Sequence, residues 1–346
     1  MIVNAAAAAE ERSWVDASNE HAQIVLEVLA EFNPENAASL GVEGLDEAII
    51  EYRPGLYERN RSASEAVLAA LRDRLAAENH PKVRQDLEIL IQAVEDGREN
   101  ARLTREHLLP YYNVAATVFG GIRGLVDPQV PRERYPAAVV RMQKYAGQIG
   151  AEKSLTELAK DRTRERFDVD GLVGPYRGEV LQDLQRSESM IDGIEELLAG
   201  TDLEGWQETY EALARQLRDY NGWVRAEILP RARDDYRLPR ALYEDALRNW
   251  GVDADPLDLI EQATKGYMDI RNEMEALAPL VAHEKGYETR DYREVIALLK
   301  RDGALDGDKL LDHYYDVLRE IEAIIEREDL VTLPEREAGI RIATEA

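Results

Sequence analysis

Five histidines and no cysteine limit the metal chemistry that this chain of 346 residues could perform by itself. A zinc-binding helix needs ligands at i and i+4, so that both ring nitrogens reach one ion from one face. The residues four after His21, His80, His107, His283 and His313 are Val25, Arg84, Tyr111, Tyr287 and Val317. None is an ordinary zinc ligand. A di-iron helix instead needs Glu three residues before His. Those positions hold Ser18, Ala77, Thr104, Leu280 and Leu310. His283-Glu284 opens like a zinc helix, but Tyr287 stands where a second His is required. Gly286 should end that helix, leaving His283 against the negative end of the dipole. His313 and Asp316 make the sole i,i+3 His/carboxylate pair and read as helix surface. Spacing therefore assigns no catalytic, cofactor-binding or metal residue in this chain.

Other chemistries fare no better. Without Cys there are no disulfides, thiolate metal sites or Cys nucleophiles. The glycines of Gly120-Gly121-Ile122-Arg123-Gly124 and of Gly171 to Gly178 follow no strand and precede no Gly-Lys-Ser/Thr. They read as tight turns or close helix packing. There is no Gly-x-Ser-x-Gly elbow. Arg231, Arg233, Arg237 and Arg240 surround Asp234 and Asp235. A solvated mixed-charge loop is the reading there, with a carboxylate-binding site as its functional alternative. Tyr occurs 16 times, with pairs at Tyr111-Tyr112 and Tyr314-Tyr315. Core packing explains most of them, and a few could line a peptide groove.

The elements that must position these residues are helices almost throughout. Trp14 to Phe32 has helical period and stops at Asn33-Pro34. Residues 43–61 read as a loop, and Ser62 with Glu65 as a capping box. Pro81 suits the first helical position of a long helix through His107. Tyr111 to Val126 is uncharged except for Arg123, which predicts a buried helix. Further helices are expected from Pro136 to about Ile149, from a Ser154/Glu157 capping box to about Phe167, and from Tyr176 to Ala199. Asp202 is expected to cap the next, to Leu229. Others run from Pro239 to Trp250, from Pro256 to about His283, over about 290–300 and over 307–328. Leu330-Val331-Thr332-Leu333 is the one strand candidate. The fold class is all-α, of about a dozen amphipathic helices, with at most a short strand near 330–333. No internal repeat or low-complexity linker divides the chain, so 1–346 reads as a single domain.

Formal net charge is −26, from 69 acidic and 43 basic residues. Nucleic acid and anionic membranes are poor partners for such a surface. No run approaches the roughly 20 apolar residues that span a bilayer. The N-terminus lacks a basic region and an apolar run of signal-peptide type. The reading is cytoplasmic, with export as the alternative, Ala5 to Ala9 then being a trimmed signal remnant.

Several motifs succeed one another in a recognisable order. They are Phe32-x-Pro34 with Ala37-Ala38-Ser39-Leu40-Gly41, and Gln85-Asp86-Leu87-Glu88-Ile89-Leu90. After these come Ile228-Leu229-Pro230-Arg231-Ala232-Arg233, Arg237-Leu238-Pro239 and Tyr243. Gly286, Asp291-Tyr292-Arg293 and Leu330-Val331-Thr332-Leu333-Pro334 complete the series. In this succession the chain resembles the bacterial family called domain of unknown function 885. The resemblance implies a helical fold similar to gluzincin peptidases of the thimet-oligopeptidase and carboxypeptidase Taq type. It also implies zinc in a cleft between helical halves, held by an element resembling His-Glu-x-x-Pro-Gly-His. That element lies downstream of the Leu-Val-Thr-Leu-Pro segment, and this sequence stops at Ala346, so no residue here inherits a zinc or general-base role. The expectation is an N-terminal, non-catalytic cleft wall of a zinc metallopeptidase-like protein. Zinc is implied for the full-length family and peptides as ligands. A stand-alone helical binding or scaffold protein is the first alternative, and an enzyme with a carboxylate/Tyr site the second. Leu310, Leu311, Tyr314, Tyr315, Val317, Leu318, Ile321, Ile324 and Ile325 cover more than one stripe of their helix. Self-association through 310–325 is expected from that face.

Overall fold

The computed structural model describes residues 2–150, 153–304, 307–334 and 336–340. Its described residues are all-α. Helix α1 (Ile2–Phe32) stops at Asn33-Pro34, and Asn33 Oδ1 caps α2 (Pro34–Ser39) by accepting from Asn36 N at 3.4 Å. Helix α3 (Leu56–Ala77) starts directly after Pro54-Gly55, with Gly55 at φ +70°. Ser62 and Glu65 therefore lie inside α3. The left-handed glycine lets the helix begin earlier than the capping-box pattern suggests.

Helix α4 (Pro81–His107) has its proline at the first turn, as read from sequence. Helix α5 (Val114–Val126) is capped by Asn113, whose side chain accepts from Ala116 N at 3.1 Å. Helices α6 (Pro136–Tyr145), α7 (Leu155–Arg164), α8 (Arg177–Ala199) and α9 (Gln207–Trp223) follow. Ser154 Oγ caps α7 by accepting from Glu157 N at 3.3 Å. Asp202 does not cap α9; it pairs with Arg132 at 3.3 Å, and Trp206 holds the cap position without a side-chain bond. After α9 the chain makes a π-helical turn over Val224–Ile228 and a 3-10 turn over Leu229–Arg231. Helix α10 (Arg240–Asn249) closes at Gly251, with φ +70°.

The chain forms two compact units, residues 1–252 and 253–346. The boundary falls in the turn at 251–256, where Gly251 and Pro256 mark a helix end and a helix start. In the first unit the main core joins α5 to α9 around Val118, Ile122, Met142, Ile194, Leu213 and Leu217. A smaller cluster, Val67, Leu71, Val83 and Leu87, lies where α1, α3 and α4 meet. Close approach in the main core needs glycine: a Cβ on Gly121 would lie 2.1 Å from Tyr145 Oη.

The second unit holds α11 (Pro256–Lys285), α12 (Tyr292–Asp302) and α13 (Gly307–Glu328). Its buried apolar residues are Ala278, Ala282 and Val295, with Tyr287, Tyr292 and Leu299 partly buried around them. Gly286 ends α11 at φ +72°. Residues 330–333 form no strand; Leu330 and Val331 are exposed and have no second strand to pair with.

Candidate functional site

A cavity of about 830 Å³ opens in the first unit. Three stretches of chain build one side of it. The segment from Val173 to Arg177 is extended, and two others pin it. Leu109 N donates to Val173 O at 2.9 Å, and Val173 N donates to His107 O at 2.8 Å. Arg233 N donates to Pro175 O at 2.9 Å, and Arg177 N donates to Arg233 O at 2.8 Å. Gly174 sits at the centre, where a Cβ would lie 1.9 Å from Arg231 O. Gly171, at φ +82°, makes a turn, while Gly174 and Gly178 serve close packing, in line with the turn-or-packing reading of these glycines. The π turn after α9 sets the path of residues 229–233; such turns often occur at functional sites.

Tyr52, Tyr57, Tyr111 and Tyr112 line the cavity. The Tyr52 and Tyr112 rings lie 4.7 Å apart, centre to centre. Burial pushes the phenols of Tyr52 and Tyr111 far above the ordinary tyrosine range. Tyr111 Oη donates to Asp183 at 3.1 Å, and burial raises the Asp183 carboxyl in turn. Burial also raises Tyr112, against the downward pull of the Arg162 and Arg105 charges. The Glu165 carboxylate opposes them at the same hydroxyl, so the charge around Tyr112 is mixed.

Four arginines and four glutamates also line the cavity: Arg105, Arg162, Arg166 and Arg233 with Glu51, Glu58, Glu165 and Glu179. Some are spoken for. Arg105 pairs with Glu58 at 2.7 Å and lies over the Tyr57 ring at 4.4 Å. Glu51 pairs with Arg53 at 2.9 Å and also with Arg59. Arg162 is the unusual member. It is only 7 % exposed, and its partner Glu165, at 2.7 Å, is itself half in solvent. Its Nε and Nη1 are buried without a hydrogen-bond partner. Each unsatisfied buried donor typically costs about 1–3 kcal/mol. Arg166 donates to Arg105 O at 2.7 Å, and Arg233 to Gly174 O at 2.6 Å. Carbonyls hold these two in place without neutralising them, and the Nε of each is also unpartnered.

The structure divides the 231–240 arginine cluster. Arg237 pairs with Asp235 at 3.7 Å and Arg240 with Glu244 at 2.6 Å, both near solvent. Asp234 goes to Arg177 at 2.7 Å. Arg231 bonds Glu227 and lies over Phe167 at 4.1 Å. Only Arg233 of that cluster lines the cavity. Tyr111-Tyr112 are brought to the cavity, whereas Tyr314 on α13 is exposed and Tyr315 half-buried. Sequence reading missed Arg162 and Arg166, having taken their stretch as a helix end. One signal was available: Leu155, Ala159 and Arg162 share one face of α7, and the first two are core residues.

His21 and His80 both lie near the Glu78 carboxylate. His21 meets Arg74 at 3.0 Å, His80 and His107 bracket α4, and His283 is exposed in the last turn of α11. Asp316 pairs with Arg319 and not with His313, whose ring lies near Tyr314. Among the described residues no three of His, Cys, Asp or Glu gather as metal ligands.

Fold and cavity together define an all-helical protein with a tyrosine- and arginine-lined cavity of mixed charge. The chain belongs to the family "Bacterial protein of unknown function (DUF885)", whose model matches residues 34–346. No curated protein matches the sequence. The fold is similar to that of a solved Shewanella oneidensis protein described as a putative lipoprotein of unknown function. The TM-score is 0.61 at 14 % identity, covering 93 % of this chain and 59 % of the other. This chain thus spans about 59 % of the length of that structure. No helix among the described residues is long and apolar enough to cross a membrane.

Proposed function

We propose that the first unit is a ligand-binding helical wall that receives a peptide in its cavity. In a metallopeptidase-like protein of this family it would shape a substrate cleft without supplying the metal site. The observation that carries the reading is the cavity itself. Its volume of about 830 Å³ falls within the range usual for small-ligand sites, and it pairs apolar aromatic surface with a few orienting charges. Tyrosine offers large contact area at low entropic cost, which suits side chains of an extended peptide. The metallopeptidase part rests on the sequence resemblance alone. A stand-alone binding protein would use the same cavity, and the two readings separate on whether adding the family's downstream His-Glu-x-x-Pro-Gly-His segment with zinc gives turnover. Of the two compartments the sequence left open, the description of the Shewanella protein as a lipoprotein supports export.

The test is calorimetric titration of the chain with short peptides bearing aromatic side chains, with and without added zinc. Saturable binding at one site per chain, without hydrolysis, is expected. Replacing Tyr112 with Ala should weaken it. Peptide hydrolysis by this chain alone would overturn the non-catalytic reading, and the absence of binding would overturn the cavity assignment.

A further inference from the structure

We propose that the exposed apolar stripe of α11 is a dimer interface, covered by the same helix of a second copy running antiparallel to it. This concerns the second unit and does not depend on the cavity. Six residues form the stripe: Ile260, Ala263, Tyr267, Ile270, Met274 and Leu277. Their spacing alternates three and four residues, which is the a/d pattern of a coiled-coil seam. All six are exposed, the five large ones by 40 % to 61 %. The last two turns of the helix show that this face packs. There Ala278 and Ala282 are buried with Val295 of α12, and Val281 and Leu299 pack against them. Val281 is the next residue of the same seam. Helix α12 thus covers the end of the stripe and leaves about five turns of it bare. Soluble proteins rarely keep a continuous apolar face of that length in water.

Area, register and length argue for a second copy as the occupant. Side chains of this size carry on the order of 200 Å² each, so the five large ones present roughly 500 Å² per copy and about 1,000 Å² for a pair, the area a specific interface needs. In an antiparallel pair each a position faces a d position of the partner. Ile260 then meets the partner's Leu277, Ala263 the partner's Met274, and Tyr267 the partner's Ile270. Ala263 makes room for the longer methionine. A parallel pair would set Tyr267 on the partner's Tyr267 and leave a gap between two alanines. It would also align the two helix dipoles, which the antiparallel pair opposes. The flanks agree. Arg271 comes beside the partner's Thr264, and Glu273 beside the partner's Gly266, so no like charges meet there, although the chain as a whole carries −26. Helix α11 begins at Pro256, which falls opposite the partner's Val281. Only its first turn therefore reaches the stretch that the partner's own α12 already covers.

The test uses the full chain. Sedimentation velocity should show a dimer whose fraction rises with concentration. Ile270→Glu puts a charge in the middle of the seam and should weaken the dimer about tenfold or more, with helix content by circular dichroism unchanged. The chain has no cysteine, so single thiols report the register. Ile260→Cys and Leu277→Cys are treated with a short bis-maleimide, each alone and as a mixture. The antiparallel pair holds position 260 against the partner's position 277, and sets two copies of either thiol about 25 Å apart along the helix. Cross-linked dimer should therefore form from the mixture and not from either variant alone. Adding Ile321→Glu and Ile324→Glu, on α13, to both variants should leave that yield unchanged. Equal cross-linking by the single variants overturns the antiparallel register. A chain that stays monomeric overturns the proposal. Co-sedimentation of that monomer with phosphatidylcholine vesicles would assign the stripe to a lipid surface instead. Its capture by the part of the Shewanella protein outside the match would assign the stripe to a further segment of the fold.

Discussion

Among the described residues, the first unit encloses many of its large apolar side chains, while the second keeps most of its own in water. Leu71, Leu87, Ile122, Met142, Ile194 and Leu217, all in the first unit, are fully buried. In the second unit Leu257, Ile260, Ile270, Leu277 and Leu280 of α11 are more than half exposed. The polar groups differ in the same way. The first unit ties distant segments together: Arg141 donates to Gly121 O and Leu45 O, and Asn100 donates to the buried Asp245. The second unit pairs near neighbours at the surface, such as Arg271 with Glu275 and Arg327 with Glu328. Both units are helical, so amphipathic pattern alone does not create a core. A core needs several faces that meet, and that same enclosure is what leaves Arg162 without water to satisfy it.

The strongest test of this contrast is truncation on both sides of it. Leu217→Ala in α9 should cost about 2–5 kcal/mol, through lost burial and a residual cavity. Leu280→Ala in α11, 66 % exposed, should stay within about 0.5 kcal/mol. Urea titrations of both variants check this, and similar losses would erase the distinction between the units.

Next in size is the link between α2 and α6. Tyr145 Oη donates to Glu35 at 2.6 Å, and Glu35 also accepts from Ile50 N at 2.9 Å. Tyr145→Phe removes a donor beside a buried carboxylate oxygen, and about 1–3 kcal/mol should be lost in the same titration.

Alkaline pH should separate the phenols of the first unit from ordinary ones. Burial raises Tyr52, Tyr111, Tyr145 and Tyr220 well above the ordinary value of 10.0, and Tyr210 to about 12. The folded state therefore favours the neutral phenol. That contribution is fully present below pH 10.0 and is lost as pH rises from there towards the folded-state values. The urea midpoint should be insensitive to these groups below that pH and fall above it. Tyrosinate absorbance that reached the full value for all 16 tyrosines before any loss of helical signal would show that these phenols are open to water.

The smallest energetic effects belong to the second unit. His283→Ala and Glu284→Gln, both exposed at the end of α11, should change stability by less than about 1 kcal/mol. Tyr314, Ile321 and Ile324 on α13 should instead show in association. Hydrophobic-dye binding and concentration-dependent sedimentation are expected, and Ile321→Glu with Ile324→Glu should reduce both. A chain that stays monomeric and binds no dye would show that this face needs no cover.

Helices were legible because their signals are local. Pro81, Ser154 with Glu157, and Gly286 act on backbone groups within a turn, so their neighbours suffice to place helix ends. The failures were equally physical. Ser62 and Glu65 fit a cap pattern, but Gly55 had already turned the chain into a helix. Asp202 was drawn to Arg132, some 70 residues away in sequence.

The sequence by itself determined an all-helical chain, a strongly acidic surface, the absence of any histidine pair at zinc spacing, and the family pattern. Those properties depend on residue types and on spacings of a few positions. Tertiary structure alone decided which arginines line the cavity. Arg162 on α7, Arg166 just beyond it, Arg233 after the π turn and Tyr52 before α3 become neighbours of one cavity only when the chain has folded. Nothing in the local pattern separates Arg233 from Arg237, four residues on. Which guanidinium loses its water is settled by enclosure, and enclosure is a property of the packed helices.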